Sequence, residues 1–356
     1  MLLASRDLHA DLAFFREQIG FRLESIFPAD DPAEAVLSGH GMRIRLERGT
    51  ETVPGVIRLL CEDPDAFADG EELMCAPNGT RIELRSLHPR LHCPPTRHEL
   101  VVQRRDTGGW EVGRAGMHYR DLIPGRLGGA IIASHIRIPG GGPVPDDVHY
   151  HIALFQLIFC YRGWVDLVYE DQGPPFRLEA GDCLIQPPRI RHRVLESSVG
   201  LEVIEIAVPA VHLTRLDHAM ELPTRRVLPQ RDFGGQRFCR HTARDAVWNP
   251  ARLPGFSSCD TGIAAATQGL ADVRIVRQAG TANAPEASHD ADILFSFVLE
   301  GEMALRVPGR ETLALRAGDA FVVPPGMRHA YEHPSGKLAL LEVSLPGSFT
   351  TTIHQS

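Results

Sequence analysis

The sequence predicts a mainly β protein: two tandem β-barrels preceded by a small α+β module. Three observations carry this. Apart from one helix, the chain reads as short alternating or apolar runs cut by turn residues, with 33 Gly and 27 Pro among 356 residues, the pattern of sandwiches and barrels. A stretch near the middle returns in the last third at a fixed spacing, the mark of a duplicated unit. The first 85 residues follow a strand, helix, strand, strand, strand order.

The helix comes from DLHADLAFFREQIG, residues 7–20, where Leu8, Leu12, Phe15 and Ile19 share one face, Asp7 can cap the start and Gly20 can end it. Strand candidates FRLESIF, AEAVLSG, MRIRLER, VIRLLCE and TRIELRS follow. The repeat aligns LEAGDCLIQPPRIRHRV (178–194) with LRAGDAFVVPPGMRHAY (315–331) at an offset of 137, and Gly163 with Gly301 at 138. The expected organisation is a module at 1–90, a linker at 91–115, a barrel at 116–215, a second linker at 216–257 and a second barrel at 258–347. A loop as long as 216–257 is uncommon unless packed or functional, so it is expected to wrap over the barrels.

Composition narrows the function. With 37 Lys+Arg against 45 Asp+Glu the net charge is −8, and no block of like charge forms a tail, which argues against nucleic acid as a partner. No apolar run approaches the roughly 20 residues of a spanning helix, and the opening MLLASRDLHADL is too short and too soon acidic for a signal peptide. A cytoplasmic protein is expected. The seven cysteines are scattered without a CxxC spacing, so reduced thiols are expected rather than a disulfide framework.

The chemistry concentrates in VPDDVHYHIALFQLIFCYRG, residues 144–163. His149 and His151, two apart on a strand, can face one barrel interior. Gln156 has the opposite parity and needs a turn before it can face the same way. His192 follows the AGDCLIQPP turn. Three imidazoles and an amide oxygen would suit one divalent transition metal, Fe, Mn, Ni, Zn or Cu.

These residues resemble the two motifs of the cupin superfamily, whose fold is the double-stranded β-helix or jelly roll. The first motif, G(x)5HxH(x)3,4E(x)6G, is matched by Gly142, His149, His151 and Gly163, with six residues rather than five after Gly142 and with Gln156 at the acidic position. The second, G(x)5PxG(x)2H, is matched by Gly181, Pro187 and His192, with Arg189 in place of glycine. Arg189 is expected to mean that the turn avoids a positive φ there. The resemblance implies a bicupin whose first barrel binds one metal through His149, His151, Gln156 and His192. A neutral amide in place of a carboxylate would leave that metal more positive and remove a candidate base. The implied function is a metal-dependent enzyme acting on a small oxygenated, anionic metabolite, by dioxygenase-type chemistry or metal-assisted enolisation or isomerisation. The alternative is a non-catalytic sensor of a metabolite or metal.

In the second copy His289 and His329 answer His151 and His192, but Ala287 and Leu294 replace His149 and Gln156, so that barrel is expected to be structural unless Asp290 or Asp292 completes a weaker site. Parity suggests further catalytic candidates in the first barrel: His135 and Arg137 on the strand leading into the motif, and Glu196, an even step from His192, as a substitute base.

Residues 1–90 resemble a single βαβββ unit of the vicinal-oxygen-chelate, glyoxalase-like family. Glu83 fits one of that family's metal positions, but only Met and Leu stand at the other, so this module is expected to carry no metal. A lone unit needs a second to cover its sheet, which makes a homodimer the expected assembly.

Overall fold

The structure is a computed structural model describing residues 1–49, 53–67, 71–89, 91–280 and 283–354. It divides into two compact units, Met1–Arg90 and Leu91–Ser356. No helix among the described residues is long and apolar enough to cross a membrane.

In the first unit the helix forms as its periodicity requires. Leu8, Leu12, Phe15 and Ile19 are buried, the Asp7 carboxylate accepts the Ala10 amide at 3.0 Å, and Gly20 leaves the helix at φ +85°. Its last turn widens to π geometry over Phe14–Gln18. The helix covers a four-stranded sheet in the order Leu2–Ser5, Met42–Arg48, Glu34–Gly39, Arg22–Phe27, whose first two members run parallel. A shorter echo follows: Val56–Cys61, the helical turn Pro64–Phe67, Leu73–Cys75 and Arg81–Ser86, again with first and last strands parallel. Ile57, Leu59, Ile82 and Leu84 join Leu3, Phe15, Leu37 and Leu46 in one core. The expectation of a lone unit is thereby corrected: the second sheet that its apolar face needs lies within the same 90 residues. The argument for a dimer built on that need falls with it.

The second unit holds both barrels, the first with a seven-stranded and a six-stranded sheet and the second with a seven-stranded sheet and separate three- and two-stranded ones. The large sheet of the first runs Cys239–His241, Cys183–Ile185, Phe155–Arg162, Leu201–Val208, Ile132–Ile138, His118–Asp121, Glu111–Val112. That of the second runs Trp248–Pro250, Phe256–Asp260, Asp272–Gln278, Ala339–Leu345, Ile293–Glu300, Ala320–Val322, Val101–Gln103. The large sheets bury their outer faces in a common core, Phe155, Phe159, Ile204 and Ile206 from one barrel with Phe295, Phe297, Leu341 and Val343 from the other. Each barrel also has its own interior core.

The stretches expected as linkers are parts of the sheets. Val101–Gln103, which precedes the first barrel, pairs with Ala320–Val322 of the second. Cys239–His241, which precedes the second, pairs with Cys183–Ile185 of the first. The repeated AGD aspartates pin these exchanged arms. Asp182 accepts the amides of Glu179 at 3.1 Å and Ala243 at 2.8 Å; Asp319 accepts those of Arg316 at 3.0 Å and Arg105 at 2.7 Å. One carboxylate thus closes its own turn and holds the incoming arm.

His135 belongs to this junction. Its Nδ1 accepts from Arg120 Nη2 at 3.1 Å, so Nε2–H donates to Glu202 at 2.7 Å. Arg120 also donates to the Gly318 carbonyl of the other barrel at 2.8 Å. Burial lowers the His135 pKa, keeping the ring neutral. Asp319→Ala would leave two backbone amides unsatisfied, and unfolding in urea is expected to show a loss of about 2–4 kcal/mol with both barrels unfolding together.

Candidate metal centre

The strand His149–Ile152 lies in the smaller sheet beside His192–Ser197, with His149 opposite His192. Between Ile152 and Phe155 the chain crosses to the large sheet, and this turn reverses the parity of Gln156 so that it faces the interior with the histidines. All four residues line one cavity of about 70 Å³. One ring nitrogen from each of His149, His151 and His192 lies within 4.8 Å of the others.

Hydrogen bonds on the far side of each ring set which nitrogen is available. His149 Nδ1–H donates to the Asp147 carbonyl at 2.8 Å, and His192 Nδ1–H to the Ile190 carbonyl at 3.0 Å. A carbonyl only accepts, so both Nε2 atoms carry lone pairs. His151 Nδ1 shares a 2.8 Å hydrogen bond with Thr214 Oγ1. Burial lowers all three pKa values, that of His151 to about 2 with help from His149 and His212, so the imidazoles are neutral donors. Gln156 is oriented in the same way: its Nε2 donates to Glu205 at 2.7 Å, leaving a buried Oε1 with no partner. His149 Nε2 is likewise buried and unpartnered. Unsatisfied buried acceptors are costly, and a divalent cation would satisfy them. The residues fit the group that the motif implies.

The three catalytic candidates fall elsewhere. On Ile132–Ile138 it is Ile136 and Ile138 that line the cavity, so His135 and Arg137 point to the opposite face. There His135 serves the barrel junction, and Arg137 stacks on Trp110 with its guanidinium 4.0 Å from the ring centroid. Glu196 is exposed. Asp166 pairs with Glu196 but its neighbour Leu167 pairs with Val194, so Leu195 is an extra residue in a bulge. Val194 lines the cavity and the even-step argument ends there. Arg189 corrects another expectation: its φ is +63°, matching Gly326 at +75° in the repeat, and its amide donates to the His151 carbonyl at 3.0 Å.

Glu205, Arg114 and Tyr119 line the cavity without having been singled out. Arg114 pairs with Asp146, whose other oxygen accepts the Val194 amide at 3.0 Å. Tyr119 has its pKa pushed up to about 12 by burial and by Glu205. The sequence did hold a signal for two of them: Glu342 repeats Glu205 at an offset of 137 and Arg252 repeats Arg114 at 138.

In the second barrel the arginine and the glutamate pair with each other. Arg252 donates to Glu342 at 2.8 and 3.3 Å and to Tyr331 Oη at 3.3 Å. Burial opposes its charge, but Glu342 and Tyr331 outweigh that and raise its pKa. His329 repeats the anchoring of His192, donating Nδ1–H to Met327 at 3.1 Å, whereas His289 turns Nε2 onto the Val323 carbonyl at 3.0 Å. Asp290 and Asp292 are exposed and engaged with Thr350, Thr96 and His98.

Comparison with known proteins agrees with this architecture. Residues 273–344 match the cupin domain family. No curated protein matches the chain by sequence. Among solved structures, the chain is similar to salicylate 1,2-dioxygenase from Pseudaminobacter salicylatoxidans, with 17% identity and a TM-score of 0.54 over 73% of this chain and 90% of that one. A mutant of the same enzyme has been solved with gentisate. Oxalate decarboxylase from Lactobacillus farciminis, solved as a formate complex, is similar at 13% identity and a TM-score of 0.54, covering 75% and 90%. A mutant of the Bacillus subtilis oxalate decarboxylase gives 13% identity, a TM-score of 0.53 and coverage of 74% and 80%. The likeness to these structures is one of fold, that of tandem cupin barrels.

Two outcomes follow from this geometry. Arg189→Gly removes a side chain from a left-handed position and is expected to raise stability by about 0.5–1 kcal/mol. Arg252→Met leaves a buried carboxylate unpaired and should cost about 3–5 kcal/mol, much of it recovered when Glu342→Leu is added; urea titration of the three variants measures both.

Proposed function

We propose that the chain is a metal-dependent enzyme that acts on a small, oxygenated, anionic metabolite in the first barrel. One observation supports this most: the unpartnered Gln156 Oε1, oriented by Glu205, beside three imidazoles tied back through Nδ1. When bound, a divalent metal held by His149, His151, Gln156 and His192 supplies Lewis acidity to an oxygen-bearing substrate, with no ligand charge to weaken it.

The remaining lining sets what the chain's own groups do. Arg114 offers its positive charge to a carboxylate. Glu205 is the carboxylate placed to take and hold a proton, the role expected of Glu196 from sequence. Tyr119 keeps its proton at neutral pH and can donate a hydrogen bond. Ile136, Ile138, Leu167 and Val203 keep water from the rest of the wall. A volume of about 70 Å³ holds roughly five to seven water-sized groups, which favours a metabolite of few heavy atoms. Salicylate, gentisate and oxalate, the compounds named with the similar structures, are small carboxylates. A base beside an all-neutral ligand set favours metal-assisted enolisation or isomerisation. The apolar wall favours a second reading, O₂-dependent cleavage.

Protein purified without chelator is expected to contain close to one divalent metal per chain, falling to background in His149→Ala plus His192→Ala. Glu205→Gln can still accept from Gln156 and should retain metal while turnover falls about 10²- to 10⁴-fold. Oxygen uptake with small hydroxy- and keto-acids separates the two chemistries. Metal-free wild-type protein, or metal content unchanged in the double variant, would end the reading.

A further inference from the structure

The duplication reaches beyond the motifs, and its departures single out one ion pair. Trp110 and Arg114 recur 138 residues later as Trp248 and Arg252. Both tryptophans carry an arginine on the ring, Arg137 at 4.0 Å and Arg277 at 3.5 Å from the centroid, so the correspondence is structural as well as sequential. Each barrel therefore receives an arginine from the segment preceding it and a glutamate, Glu205 or Glu342, from its own large sheet.

In the second barrel these two meet, and Arg252 lies on Glu342. In the first they are kept apart: Arg114 pairs with Asp146, and Glu205 receives the Gln156 amide. The residues that make the difference are missing from the second barrel at the same spacing, where Ala284 stands for Asp146 and Leu294 for Gln156.

We propose that Asp146 is a positioning residue of the metal centre, holding Arg114 to the wall and off Glu205, the counterpart of the glutamate that Arg252 pairs with in the second barrel. The inference rests on the metal reading above. Asp146 is itself fixed, accepting the Val194 amide at 3.0 Å and lying 3.6 Å from His149 Nδ1. With that carboxylate gone, Glu205 is the acid lining the same cavity as Arg114, and opposite charges attract strongly at low dielectric. A guanidinium on Glu205 would draw the carboxylate from Gln156, free the amide to turn, and place a cation where the metal binds.

The test is titration of metal-stripped, full-length protein with Co(II), followed by its visible absorption, with circular dichroism to establish folding. Asp146→Asn, which can still accept the Val194 amide, is expected to weaken Co(II) binding at least about tenfold. Adding Arg114→Met should restore it, because the occluding group is gone. Arg114→Met alone tells occlusion from charge balance: a charge effect would tighten Co(II) as much as Asp146→Asn loosens it, whereas a restrained arginine predicts a far smaller change. A crystal structure of Asp146→Asn should show Arg114 on Glu205. Undiminished binding in Asp146→Asn, no recovery in the double variant, or equal and opposite single effects would overturn the proposal. Wild-type protein that binds no Co(II) would instead overturn the metal reading.

Discussion

Each barrel is completed by the arm that precedes the other, and most of the second unit follows from that exchange. Asp182 and Asp319 hold the arms by accepting the amides of Ala243 and Arg105. With the arms in place, the two large sheets are pressed together and the outer face of each is dry. Strands such as Leu201–Val208 are then buried on both faces, so they read as almost continuous apolar runs rather than alternating ones. A polar residue on such a strand has no water to turn to and requires a partner. Glu205 and Gln156 meet inside the barrel, and His135 meets Glu202 and Arg120 at the junction.

The same economy of partners prepares the histidines. His149 and His192 each donate Nδ1–H to a carbonyl two residues back in their own strand or turn, so ring orientation is set locally and survives in His329, which donates to Met327. The second barrel thus keeps part of the apparatus. What it lacks are His149 and Gln156, replaced by Ala287 and Leu294, and the orientation of His289, whose Nε2 is spent on Val323. An imidazole whose Nε2–H is donated to a carbonyl cannot use that nitrogen for a metal, whatever its place in a motif.

Spacing along a strand made much of this legible. The helix face, the duplication and the four residues now seen around one cavity all follow from local periodicity and motif spacing. The failures share a cause, since parity holds only while a strand is regular and says nothing about which face is inside. A single extra residue, Leu195, turned Glu196 outward. His135 and Arg137 lie on the expected strand but on the face opposite Ile136 and Ile138. Arg189 shows a positive φ that a non-glycine residue conceals. Glu205 escaped because a lone glutamate in LEVIEIAV looks like an outward-facing residue unless both faces are known to be buried. The second sheet of the first unit escaped because its helix is a single turn, Pro64–Phe67, too short for periodicity to reveal.

Charge separates the two barrels more sharply than shape. In the second, Arg252 and Glu342 cancel, and neither cation nor anion is called for. In the first, Arg114 pairs with Asp146, Glu205 accepts from Gln156, and the four donors around the gap are neutral, so these groups together carry one net negative charge. A wall of that sign lowers the cost of bringing a dication into a low-dielectric interior. The combined charge of wall and dication is then +1, which suits one carboxylate and disfavours a second cation. A monoanionic substrate would make the occupied barrel neutral, the state in which ions are cheapest to bury. On the same arithmetic, a guanidinium placed centrally would take over the electrostatic role proposed for the dication.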